Sequence, residues 1–281
     1  MSVKNFIPTI WSARLLEHLD NAHVARNFFN TNWEGEIRDM GDTVRINQIG
    51  AVNIIEYTPN QDLPDPEELS MVAQSLVIDQ ADAFSWQIDD VDAAQMRADL
   101  MDAAMERSAY ELADKMDKYL FKQLADAAAP SNSIGTAASP VVITENNVYD
   151  IFVQMRTLLT KTNTPSVNRQ IAVPPEMVGM LLKDDRFTGT GGTFAEGTLL
   201  SGLVARGVGF SIFEINNLPV TGSTVEIVAN HNVSATYAHQ IAKTEAARME
   251  KRFADNVKGL SVYGAKVVEP KAVAKLYATF A

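Results

Sequence analysis

Four histidines, a glycine-rich stretch and one acidic pair are the residues whose chemistry has to be weighed first. His18, His23, His231 and His239 show no four-apart helical pairing with a glutamate, the spacing that would hold a zinc ion. An isolated histidine on such a face is ordinarily a packed or surface residue. Gly189-Thr190-Gly191-Gly192 offers bare backbone N–H groups of the kind that cradle an anion. It lacks the Gly-Lys-Ser/Thr ending of a phosphate loop. Asp184, Asp185 and Arg186 precede it where an apolar strand should. The acidic pair itself reads as a solvated helix end. No serine occupies a Gly-x-Ser-x-Gly elbow. Cysteine is absent, which excludes thiolate chemistry and disulfides together. No catalytic residue, cofactor or metal ligand is therefore assigned.

The elements matter more than any such group. No glycine or proline occurs between Glu67 and Ala129. The later part of that span is rich in Ala, Leu, Met, Glu and Lys, which favour helix. Met101, Met105, Ala109, Leu112, Met116, Leu120 and Leu124 recur every three or four residues and make one apolar stripe. The spacing predicts a long helix over 89–129. Asp89, Asp90 and Asp92 would meet its positive end, Glu111 and Lys115 would pair on its surface, and Pro130 would stop it.

The chain of 281 residues carries a net charge of −11 and is 46% hydrophobic, enough for a substantial core. No apolar run approaches the ~20 residues needed to span a bilayer, and no basic-then-apolar leader is visible. Assembly in the cytoplasm, away from membranes, is expected. Charge is divided unevenly. Residues 1–114 hold 7 basic and 21 acidic residues, net −14; residues 115–281 hold 17 and 14, net +3. No Lys or Arg lies between Arg45 and Arg97. The acidic half is ill suited to phosphate contacts. The asymmetry suits copies of one chain laid head over tail.

In order, residues 1–40 carry Trp11, Phe28, Phe29 and Trp33, rings that something must cover. Residues 43–49 alternate as a strand does, 52–57 is a second strand candidate, and Pro59, Pro64 and Pro66 sit in an acidic tip. Residues 76–88 return as a third extended run, anchored by Val77, Phe84 and Trp86. This long arm has too few apolar residues around its tip to make its own core. Residues 131–140 read as a loop. Thr144 would cap a helix running to about Thr160, with Val148, Ile151, Phe152, Met155 and Leu159 inward. Residues 169–173 form a strand, and Pro174-Pro175-Glu176 opens another helix. Residues 188–197 form a glycine-rich loop. Strands are expected at 208–215, 224–229 and 260–268, a strand or short helix at 235–242, and a packed C-terminal segment at 272–280.

Four stretches together resemble the major capsid (coat) proteins of tailed bacteriophages, which have the Hong Kong ninety-seven type fold, and in particular the short-tailed-phage coat-protein branch. They are Phe6-Ile7-Pro8 through Trp11-Ser12 to Asn32-Trp33-Glu34-Gly35-Glu36-Ile37, then Gly41-Asp42-Thr43-Val44-Arg45-Ile46, then Ala172-Val173-Pro174-Pro175-Glu176 with Asp185-Arg186-Phe187, Gly209-Phe210 and Asn217-Leu218-Pro219. The last is Phe253-Ala254-Asp255, Val257-Lys258-Gly259-Leu260, Val262-Tyr263-Gly264-Ala265-Lys266-Val267-Val268 and Pro270.

The resemblance implies an α+β fold with an N-terminal arm at 1–40 and an extended β loop at 41–88. A peripheral domain with a long spine helix would take 89–140 and 261–281, and an axial domain 141–260. It implies a subunit that assembles with itself, as pentamers and hexamers, into an icosahedral virion shell enclosing double-stranded DNA without reading its sequence. Scaffolding, portal and decoration proteins would be its other partners. Some members of the fold cross-link through a lysine on the extended loop, but no lysine lies between Lys4 and Lys115 here. Interface candidates are Trp11, Phe28, Trp33, Arg45, Glu56, Asp62, Asp65, Glu67, Glu68, Arg248, Lys251, Arg252, Lys258 and Lys266. An encapsulin-like nanocompartment and an acidic cytosolic enzyme are the alternatives.

Overall fold

The computed structural model describes residues 24–31, 41, 43–49, 54, 56, 71–89, 99–183, 203–249 and 252–280. In chain order the strands are β1 (Thr43–Ile49), β2 (Met71–Val77), β3 (Gln80–Asp89), β4 (Ser133–Ile134), β5 (Val141–Ile143), β6 (Arg169–Val173), β7 (Leu203–Gly207), β8 (Phe210–Glu214), β9 (Val220–Thr221), β10 (Thr224–His231), β11 (Ala235–Arg248), β12 (Ala254–Val267) and β13 (Val273–Phe280). The helices are α1 (Asp99–Ala127), α2 (Val148–Lys161) and α3 (Pro175–Lys183).

The 29 residues of α1 give a rod of roughly 43 Å. Its expected stripe is real: Met105, Ala109, Leu112, Met116, Leu120 and Leu124 are all buried, joined by Ala113, Phe121 and Ala125. Two expectations at its ends and surface need correction. Asp89 does not start this helix; it ends β3, where it faces Ala254 in the ladder. Asp90 and Asp92 lie outside the described residues. Glu111 pairs with Arg107 at 2.5 Å rather than with Lys115, whose ammonium reaches Asp82 instead. The helix ends at Ala127, and Pro130 opens a short 3-10 turn.

Most strands join an eight-stranded sheet, ordered β4-β13-β10-β6-β8-β7, with β5 also on β13 and β9 on β10. β6 and β8 are parallel, so the chain must cross over between them, and α3 lies in that crossover. The inward residues of α2, Val148, Ile151, Phe152, Met155 and Leu159, are buried as the 3.6-residue period requires. The cap of α2 is Asn147 rather than Thr144; the Thr144 N–H donates to Asn147 Oδ1 at 2.9 Å. The expected loop at 131–140 holds β4 and a buried Asn132. Its amide donates to the Lys271 and Val273 carbonyls at 2.7 and 3.2 Å.

A second sheet is ordered β11-β12-β3. The division expected at 260/261 falls inside β12, which is paired along its length to β11 and β3. β13 in turn sits between β10 and β4/β5 in the larger sheet. Two neighbouring turns carry the chain across, at Asn232–Ser234 and Pro270–Ala272. They are tied by N–H donation from Val268 and Glu269 to the Ser234 carbonyl at 2.8 and 3.0 Å.

Residues 24–31 bind both sheets to α1. Asp117 is only 3% exposed, and its carboxylate accepts the Val24 and Ala25 N–H groups, each at 3.3 Å. Phe28 packs edge-on against Phe121 and Phe213, with centroids 5.2 and 5.3 Å away. Asn30 then bridges to β11: its N–H donates to the Ala235 carbonyl at 2.9 Å, and its carbonyl accepts from Tyr237 N–H at 3.2 Å.

Candidate functional site

The first three strands show how the two ends of the expected arm are built. β1 and β2 form an antiparallel ribbon of seven residue pairs, from Thr43 opposite Val77 to Ile49 opposite Met71. The third extended run expected at 76–88 is two strands, not one. β2 ends at Val77, and β3 restarts at Gln80 in the other sheet. The strand expected at 52–57 is described only at Ile54 and Glu56, neither of them in a strand.

Alternation explains how the ribbon sits. Val44, Ile46, Leu76 and Ile78 turn inward and are buried with Ala238, Val262 and Val268. Arg45 points the other way and is exposed. Gln74 fastens the ribbon sideways, its amide donating to the Val268 carbonyl at 3.0 Å. Beyond this small cluster stand Glu56, which is exposed, and Ile54, 93% exposed. Trp11, Trp33, Asp62, Asp65, Glu67, Glu68 and Lys251 lie outside the described residues.

Phe28 has no surface left for a neighbour, because its own subunit buries it completely. The basic candidates on β11 and β12 do not gather into one free patch. Arg248 reaches Asp255 at 3.4 Å and Lys258 reaches Glu245 at 2.9 Å, both within the subunit. Arg252 and Lys266 are exposed. Next to Arg252 stands Phe253, 79% exposed where β11 turns into β12. Sequence reading passed over Phe253 as one residue of a motif. Its position at a turn between two strands was the available signal, since a large apolar ring there has no face of the sheet to cover it.

Of the possible chemical groups found at the outset, the structure describes His231 and His239. Asp184, Asp185 and residues 189–192 lie outside the described residues, as do His18 and His23. The Nδ1 of His231 accepts the Val233 N–H at 3.2 Å and holds the turn into β11. Burial, then the nearby Arg169 guanidinium, lowers the pKa of His231 from its ordinary value. The Nε2 of His239 sits 3.0 Å from Ser261 Oγ. Arg169 is 3% exposed and spends its guanidinium on the end of α2 and the loop after it. It donates to the Pro165 and Thr164 carbonyls at 2.8 and 2.5 Å and to Thr160 Oγ1 at 3.0 Å. Among the described residues, no group of three or more His, Asp or Glu could hold a metal ion. Nor does any described helix have the length and apolarity to cross a membrane. Among the described residues, this molecule presents a two-stranded ribbon packed at its root and an exposed aromatic turn on a well-filled body.

The sequence matches the phage capsid protein family over residues 73–276, well over half of the chain. The chain belongs to that family. Solved structures share its shape. One from Mycobacterium phage Che8 is 27% identical, with 90% of each chain covered and a TM-score of 0.72. The capsid structure of the cyanophage P-SCSP1u is 16% identical, with 93% of this chain and 88% of that chain covered and a TM-score of 0.69. A virus-like particle from Pyrococcus furiosus has the same fold at 10% identity, with 98% and 100% covered and a TM-score of 0.59. No curated protein matches the chain. The α+β fold is the Hong Kong ninety-seven type, and the protein is a tailed-phage major capsid protein, a virion component that assembles with itself into the shell.

Proposed function

We propose that this capsid subunit works by overlap and performs no turnover. Each copy lays its β1–β2 ribbon and the acidic tip beyond it across a neighbour, and pentamers and hexamers closed in this way enclose double-stranded DNA. The observation that carries the reading is the ribbon's incompleteness. A two-stranded ribbon is marginal by itself in water, and among the described residues the inward cluster that its own subunit covers is Val44, Ile46, Leu76 and Ile78, at its root. A neighbour supplies the missing surface. Exposed ion pairs contribute only ~0–1 kcal/mol each. Arg45, Glu56, Arg252 and Lys266 thus set register, while apolar groups such as Ile54 and Phe253 supply buried area. With no lysine between Lys4 and Lys115, strength comes from area and overlap rather than from a lysine cross-link on the loop. Assembly in the host cytoplasm, with scaffolding and portal proteins and a decoration protein outside, completes the proposal.

The structure defines a cleaner deletion than removal of 41–88, because β3 is built into the second sheet. Replacing residues 47–73 by Asn-Gly joins Ile46 to Gln74, partners in the ladder, through a two-residue hairpin turn. The expected product is a folded, soluble subunit that makes no shells by electron microscopy. Normal shells from this variant would remove the overlap reading.

A further inference from the structure

The chain passes from the ribbon to the second sheet through only Ile78 and Asp79. This elbow is gripped from two sides. From α1, Tyr119 Oη donates to Asp79 Oδ1 at 2.9 Å, and one turn earlier the Lys115 ammonium donates to Asp82 Oδ1. From β12, Tyr263 Oη donates to Asp82 Oδ2 at 2.6 Å. The two tyrosine rings meet edge to face with centroids 5.4 Å apart. Burial, then the carboxylate beside each, raises both phenols far above their ordinary pKa and keeps them donors.

Backbone packing closes the grip. A Cβ on Gly264 would stand 2.2 Å from the Val77 carbonyl oxygen and 3.0 Å from Ile78 Cα, so only glycine lets β12 pass this close. On the other leg, Gly41 adopts φ +94° and donates its N–H to the Ile78 carbonyl at 3.0 Å. Both legs of the ribbon thus leave from one clamped point.

One contact fixes a position; two contacts from one face fix a direction. Lys115 and Tyr119 are four apart and so share a face of α1. Seven residues of strand reach ~24 Å at ~3.4 Å each, so a tilt of about 10° at the elbow moves the far end by about 4 Å. That is about the spacing between neighbouring strands, enough to spoil a contact made at the tip.

We propose that Asp79, Asp82, Lys115, Tyr119, Tyr263 and Gly264 are positioning residues. They set the angle at which the ribbon leaves the subunit, and through that angle the curvature of the shell. The inference rests on the overlap reading above.

The test is the full chain carrying Tyr119→Phe and Tyr263→Phe together, expressed where the parent chain makes shells. Both rings and their packing stay; only the two hydroxyl donors go. The unassembled subunit is expected to melt close to the parent. The parent's shell diameter is expected to give way to mixed diameters or open sheets by cryo-electron microscopy. Tyr119→Phe alone touches a bond at the surface and leaves Asp79 hydrated, so its fold is secure; it should broaden the diameters less than the pair does. Gly264→Ala, which forces the root of the ribbon away from β12, should reduce closed shells most. Parent-like diameters from both tyrosine variants would overturn the elbow and leave the overlap standing. Shells from the 47–73 replacement would remove both.

Discussion

The eight-stranded sheet and the β1–β2 ribbon are built from the same kinds of residue, yet they finish differently. The sheet is covered by its own chain. Phe152 of α2, Ile143, Ile171 and Val228 from three strands, and Leu276 of β13 all lie in one buried cluster with the stripe of α1. The ribbon alternates just as regularly but has one layer of cover at its root and none described beyond it. Regular alternation therefore shows that a strand has two faces, not that its own subunit covers either of them. The proposed overlap places the next copy against the part of the ribbon beyond its packed root.

Two substitutions sharpen this contrast. Phe28→Ala removes a ring held between Phe121 and Phe213 in the body. It should cost about 3–5 kcal/mol of subunit stability, the usual range for a buried phenylalanine, and urea unfolding would measure it. Ile46→Ala empties a buried site of the ribbon instead. If the ribbon opens separately from the body, its loss is absorbed by local unfolding, and global stability should fall by less than about 1 kcal/mol. Shell formation should nevertheless suffer more from Ile46→Ala than from a body substitution of equal global cost. Equal unfolding costs at the two sites would show that ribbon and body are one cooperative unit, and the comparison would fail.

The body was largely legible in the sequence because its elements bury one face and keep strict period. The stripe of α1, the inward residues of α2, the strand at 169–173 and the proline start of α3 all follow from that. The start of α1 was not legible. No glycine or proline separates 80–89 from 99–127, so strand alternation runs toward helix composition without punctuation. β11 extends to Arg248 through Lys-Thr-Glu-Ala-Ala-Arg, residues that mostly favour helix; pairing with β12 overrides the local preference. The first strand of the ribbon was visible as alternation; β2 was not, since the extended run was expected to begin only at 76, and neither was the elbow. Asp79, Asp82, Tyr119 and Tyr263 come together only through contacts spanning 40 and 181 positions. The same holds for Asp117, a carboxylate on the otherwise apolar buried face of α1 whose partners lie 92 and 93 positions away. Nor could charge alone show that Arg248 and Lys258, chosen as interface candidates, would meet carboxylates in their own subunit, since both pairs form only across the β11–β12 ladder.

The smallest effect expected concerns the seam between the two sheets rather than either one. His231 ends β10, and its Nδ1 caps the turn into β11 by accepting the Val233 N–H, a role that only a neutral imidazole nitrogen can play. Buried beside Arg169, with Glu269 and Lys271 lining the same cleft, it has a folded pKa below its ordinary value of 6.5. In the window between the two values the unfolded chain binds the proton and the folded chain does not. Stability is therefore complete above about pH 6.5 and falls as pH drops through that window. Asparagine can accept the same N–H through Oδ1 and does not titrate. His231→Asn should match the parent subunit in urea unfolding near pH 8 and lose less stability toward about pH 5.5. Parallel curves for the two proteins would mean that the proton is taken elsewhere, on carboxylates, and that the seam contributes nothing to the acid limb.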